Sequence, residues 1–94
     1  MRAPVATVTV YTVPNCLDCG AVKHLLDSAG IPYREVDISR IPGSREALEL
    51  LSGLRTVPQV FVGRQFIGQV FEVRYLLETG KFQELLAAQP EEQE

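Results

Sequence analysis

The chain opens with an apolar, β-branched run, Val5 to Tyr11, which predicts a buried strand. Val13-Pro14-Asn15 breaks it, and Ala21, Val22, Leu25, Leu26 and Ala29 then recur at helical spacing. Asn15 is the expected N-cap of that helix, and Gly30, with Pro32 just beyond, its C-terminal stop. Tyr33 to Ile38 reads as a second strand, giving a strand–helix–strand unit and hence a parallel pair. Pro42-Gly43-Ser44 opens a second helix whose expected apolar face is Ala47, Leu50 and Leu51, closed by Gly53. Gln59 to Val62 and Gln65 to Ile67 flank Gly63-Arg64, a two-residue hairpin signal. Phe71 to Glu78 and Lys81 to Ala88 read as helices parted by Gly80. The order is β-α-β-α-β-β-α-α, an α/β domain over residues 1–88, with a flexible acidic tail expected over 89–94.

Size and charge narrow the function. A chain of 94 residues makes one domain, and its net charge of −3 gives no basic surface for nucleic acid. No apolar run approaches the ~20 residues of a membrane span. The N-terminal Met1-Arg-Ala-Pro-Val5 lacks a signal-peptide pattern, so the cytoplasm is the expected compartment.

The chemistry lies in Cys16-Leu17-Asp18-Cys19, which holds both cysteines of the chain. Two thiols one helical turn apart can close a disulfide or open it, and at this spacing they read as a redox couple. At a helix start, unpaired N–H groups and the helix dipole favour a thiolate at Cys16 by about 0.3–1 kcal/mol. Asp18 opposes this, with a repulsion of roughly 2 kcal/mol at ~7 Å and an effective dielectric of ~20, less where water screens it. Cys16 is the expected attacking thiol and Cys19, deeper in the helix, the resolving one. A zinc site would need four N/S ligands, and the two cysteines with His24 on one helix cannot supply them. A permanent disulfide across so short a loop gains little entropy, and His24 reads as a surface residue.

Thr56-Val57-Pro58 stands about forty residues beyond the dithiol, before the third strand. With it, Tyr11-Thr12, Cys16-x-x-Cys19, Gly53-Leu-Arg-Thr-Val-Pro58, Gln59-Val-Phe-Val-Gly63, Ile67-Gly68 and Leu76-Leu-Glu-Thr-Gly80 make a pattern that resembles the glutaredoxins, small members of the thioredoxin-fold superfamily. The resemblance spans roughly Val5 to Leu86. It implies a thioredoxin-like fold, a four-stranded mixed β-sheet flanked by helices. It implies a thiol–disulfide oxidoreductase with Cys16 and Cys19 catalytic, and a cis Pro58 beside Cys16. The Val57 backbone would then pair with a bound peptide or with glutathione, and Tyr11, Arg55, Thr56 and Gly68 would complete the substrate site.

The implied partners are a disulfide-containing protein, with glutathione or a thioredoxin reductase as electron donor. No tightly bound cofactor or metal is implied, and the chain is expected to act as a monomer. The run Tyr11-Thr-x-x-x-Cys-x-x-Cys19 followed by Lys23 is also similar to glutaredoxin-like hydrogen donors of ribonucleotide reductase. Other readings are an iron–sulfur carrier bridging two chains, and a redox-sensing interaction domain without turnover. The chain departs from the family pattern at Val13, where many relatives carry lysine, and at Gly68-Gln69-Val70-Phe71-Glu72, where they carry Gly-Gly followed by Asp. Glu72 adds negative charge where a ligand carboxylate would bind, and Arg55 or Lys23 are candidate compensating cations.

Overall fold

The computed structural model describes residues 6–88. The expected acidic tail, residues 89–94, and Val5 of the first expected strand lie outside them. Strand β1, Val8–Thr12, is followed by α1, Leu17–Ser28, and β2, Arg34–Asp37. Next come α2, Ser44–Ser52, β3, Gln59–Val62, and β4, Gln65–Gly68. Helices α3, Val70–Glu78, and α4, Lys81–Ala88, complete the order that the sequence pattern predicts. The sheet runs β2-β1-β3-β4, with β1 parallel to β2 and antiparallel to β3, and β4 antiparallel to β3. This is the expected mixed four-stranded sheet.

Alternation along the strands divides the core between the two faces of the sheet. Val8 and Val10 of β1 and Val60 and Val62 of β3 pack with Val22 and Leu26 of α1, Val73 of α3 and Phe82 of α4. The opposite face holds Phe61 with Ile38 and Leu48, flanked by Tyr11, Val13, Val57 and Phe66. Phe61 meets Tyr11 edge-on at 5.5 Å and Phe66 at 5.4 Å between ring centres. Helix α1 ends in a Schellman arrangement: Gly30 N–H donates to Asp27 C=O, and Ile31 N–H to Leu26 C=O. Gly30 takes φ +72°, so glycine is the residue this stop requires.

Helix α2 corrects one expectation. Leu48 is its buried residue, whereas Leu50 is 88% exposed and Leu51 65% exposed, and Ala47 is exposed too. The inward row is Ser44, Leu48 and Ser52, spaced by four. The serines satisfy themselves locally: Ser44 Oγ donates to Ile38 C=O, and Ser52 Oγ to Leu48 C=O. Because two of three inward residues are polar, counting apolar positions selects the wrong face.

On the outer edge, Glu35 of β2 ties three elements together. Its Oε2 accepts from Thr12 Oγ1 of β1 at 2.8 Å and from Lys23 Nζ of α1 at 3.0 Å. The Thr12 bond first, then Lys23, holds the Glu35 carboxyl below its usual range. A depressed carboxyl stabilises the fold above its unfolded pKa, and that contribution is lost as pH falls through its folded pKa. Glu35→Gln is therefore expected to cost about 1 kcal/mol at pH 7, a screened pair being worth little more. In urea titrations the variant and the parent should converge as pH falls through the folded-state pKa of Glu35. A gap that stays constant across the acid range would assign the loss to packing instead.

Candidate active site

The dithiol loop follows from how β1 ends. Asn15 has φ +59°, a left-handed conformation that asparagine tolerates better than most residues, and so it serves the turn rather than the cap. The N-cap is Cys16 itself, with extended φ and ψ, and its Sγ accepts the Cys19 N–H at 3.1 Å. This corrects the expected Asn15 cap. It also puts the sulfur in direct contact with the amide that would stabilise a thiolate. Cys16 is half-buried, Cys19 is 2% exposed, and the two are joined as a disulfide with Cα atoms 5.2 Å apart. Leu17, between them, is 92% exposed. His24 lies exposed on α1 beside Ser28.

The Thr56-Val57-Pro58 turn is brought to this loop by the sheet. Tyr11 of β1 stands opposite Gln59 of β3. Extending that register by two residues sets Val13 opposite Val57, and both pack on the Ile38–Leu48–Phe61 cluster. The dithiol loop and the turn thus share one end of the sheet. The Val57–Pro58 peptide is cis, as the resemblance implies, and Pro58 is buried. Tyr11 is half-buried, with its ring against Phe61.

Other expected site residues are already engaged. Arg55 pairs with Glu49 at 3.0 Å and Glu46 at 3.5 Å on α2, and lines a cleft of about 490 Å³ with Val13, Ile38, Arg45 and Glu46. Those carboxylates raise the Arg55 pKa, the Glu49 hydrogen bond most. Lys23 is held by Glu35. Gly68, at the end of β4, takes φ +149° and lies under the Glu72 side chain, so a Cβ there would overlap the Glu72 Cβ and Cγ. Glu72 folds back because its Oε1 accepts the Gln69 N–H at 2.9 Å, one arm of a capping box on α3. The helix end that would attract a foreign carboxylate carries one of its own.

Two glutamines outside the expected site residues also hold the Thr56-Val57-Pro58 turn. Gln59 is fully buried, and its Nε2 donates to Leu54 C=O at 2.8 Å and Thr56 C=O at 2.9 Å. Gln69 donates from its Nε2 to Thr56 C=O at 3.0 Å and Thr56 Oγ1 at 3.1 Å. The available signal for Gln59 was parity: a polar residue two places before Phe61 shares its inward face.

Comparison with known proteins agrees with this geometry. The family model described as Glutaredoxin matches residues 8–67. A glutaredoxin of Neisseria meningitidis serogroup B is 39% identical over 83 residues, covering 85% of this chain and 95% of the relative. Glutaredoxin 3 of Escherichia coli K12 is 40% identical over 63 residues, covering 67% of this chain and 76% of the relative. Among solved structures, the glutaredoxin of Brucella melitensis aligns with TM-score 0.79 at 32% identity, covering 92% of this chain and 94% of that one. The buckwheat glutaredoxin–glutathione complex aligns with TM-score 0.78 at 29% identity, covering 87% and 77%. With its paired cysteines at a helix start, its sheet order and these relatives, the chain belongs to the glutaredoxin family of thiol–disulfide oxidoreductases.

Proposed function

We propose that the protein reduces protein disulfides and glutathione mixed disulfides in the cytoplasm, acting as a monomer with residues 1–88 as its domain. The observation that carries this reading is the unequal exposure of a bonded pair: Cys16 half-open at a helix start, Cys19 sealed behind it. In the reduced protein, the Cys16 thiolate attacks a substrate sulfur, forming a mixed disulfide and expelling one substrate thiolate. Cys19, after losing its proton to solvent, attacks the Cys16 sulfur. That step releases the second substrate thiol and closes the Cys16–Cys19 disulfide, with two electrons passed to the substrate. Thr56, Val57 and Pro58 would align the substrate backbone beside the sulfur, in the manner of an added strand. Tyr11 supports that end of the sheet through Phe61, Arg55 lines the adjoining cleft, and Gly68 borders the turn at the start of α3.

Two glutathione thiols, or a thioredoxin-reductase-type flavoprotein, would return the electrons. The similarity to a glutaredoxin crystallised with glutathione supports the first. An NADPH-coupled assay distinguishes them, one arm carrying glutathione with glutathione reductase and the other carrying thioredoxin reductase. Turnover in the glutathione arm is the expected result, and turnover in neither arm would remove the proposed activity. Glu72 makes the same assay more specific. Removing its carboxylate frees the Gln69 N–H for a ligand carboxylate, and a charge-assisted bond is worth about 1.5–3 kcal/mol. Glu72→Ala is thus expected to lower the half-saturating glutathione concentration about tenfold. An unchanged value would mean that glutathione does not reach α3.

A further inference from the structure

The Thr56 carbonyl receives two side-chain amides from different parts of the fold: Gln59 from β3, buried, and Gln69 from the α3 N-cap, half-buried. All four amide hydrogens of these glutamines are spent on this turn, since Gln59 also holds Leu54 C=O and Gln69 also holds Thr56 Oγ1. The arrangement has a cost, because Gln59 Oε1 is buried without a partner among the described residues. One bond to a carbonyl leaves the peptide free to pivot about it. A second bond from another direction fixes the plane. The Thr56–Val57 peptide is trans, so its C=O and N–H point opposite ways. Pinning the Thr56 oxygen to both amides therefore turns the Val57 N–H away from them, and that N–H has no partner among the described residues.

We propose that Gln69 is a positioning residue for substrate recognition, locking the Thr56–Val57 peptide so that the Val57 N–H meets the backbone of an incoming peptide disulfide. The inference rests on the reading of Val57 as the substrate-pairing residue. Gln59 shares the task, but replacing it also opens the core, so Gln69 is the residue to test. Gln69→Ala keeps the Glu72 arm of the α3 capping box, which uses the Gln69 backbone, but loses the other arm, in which the Gln69 side chain accepts the Glu72 N–H; Gln69→Glu keeps that acceptor and removes only the donor.

The test is single-turnover oxidation of the pre-reduced protein by two oxidants with the same leaving group. One is a linear peptide whose central cysteine is disulfide-bonded to 2-mercaptoethanol. The other is bis(2-hydroxyethyl) disulfide, which has no peptide backbone. Gln69→Ala is expected to raise the half-saturating peptide concentration about tenfold, the value of one hydrogen bond, with the saturated rate held within about twofold. The rate with the alkyl disulfide should stay within about twofold of the parent. Gln69→Glu, equal in length but without the donor, should match the alanine variant. Equal slowing with both oxidants would make Gln69 a general brace and overturn the inference, as would an unchanged half-saturation for the peptide. If the parent shows no preference for the peptide over the alkyl disulfide, the Val57 reading itself falls.

Discussion

Cys16→Ser is expected to abolish disulfide reduction, with a loss of at least about a thousandfold, because an alcohol cannot supply the attacking anion near neutral pH. The structure gives the sulfur a second duty, since it also accepts the Cys19 N–H at the head of α1. A serine oxygen can take over that cap, so the fold should survive the change, and thermal unfolding will verify this. Cys19→Ser separates the two half-steps. The first attack remains possible, but the mixed disulfide on Cys16 then waits for a thiol from solution. Reduction of protein disulfides should be lost, while removal of glutathione from a mixed disulfide continues, because a second glutathione can finish it. Rates measured on both substrates with each variant decide the matter. A Cys16→Ser protein that keeps more than about a tenth of its activity would reverse the assignment of roles.

The second large effect concerns stability. Phe82→Ala should cost about 3–5 kcal/mol, against a typical domain stability of about 5–15 kcal/mol. Phe82 is fully buried and is the buried residue of α4, packed with the Val8, Leu26 and Val73 side of the sheet. Its removal leaves a ring-sized cavity that the short helix alone cannot refill. Leu50→Ala is the control: at 88% exposure it should shift stability by no more than about 0.5 kcal/mol. Urea titrations of both variants give the comparison directly. A loss below about 1 kcal/mol for Phe82→Ala would mean that α4 adds little to the fold.

How far the chain could be read beforehand depends on what each signal encodes. The strands were legible because β-branched alternation and the Gly63-Arg64 turn state both period and boundary. The dithiol and the Thr-Val-Pro turn were legible because unusual residues stand at fixed spacing. Asn15 is ambiguous in sequence because asparagine suits both a cap and a left-handed turn, and only the backbone decides between them. The buried face of α2 is hidden from apolar periodicity because Ser44 and Ser52 face inward and bond to nearby carbonyls, while Leu50 and Leu51 face out. Glu72 showed its charge in the sequence but not its fold-back onto the Gln69 N–H. The Gln59 bonds reach back only three and five residues and follow from its inward position, but the Gln69 bond is tertiary, and no local pattern announces a side chain that spans 13 residues to reach Thr56.

The sealed position of Cys19 carries a consequence for the order of events. Any outside thiol or disulfide can touch the pair only through the sulfur of Cys16. Oxidant and reductant therefore queue at a single doorway, and neither can be served until the other has left.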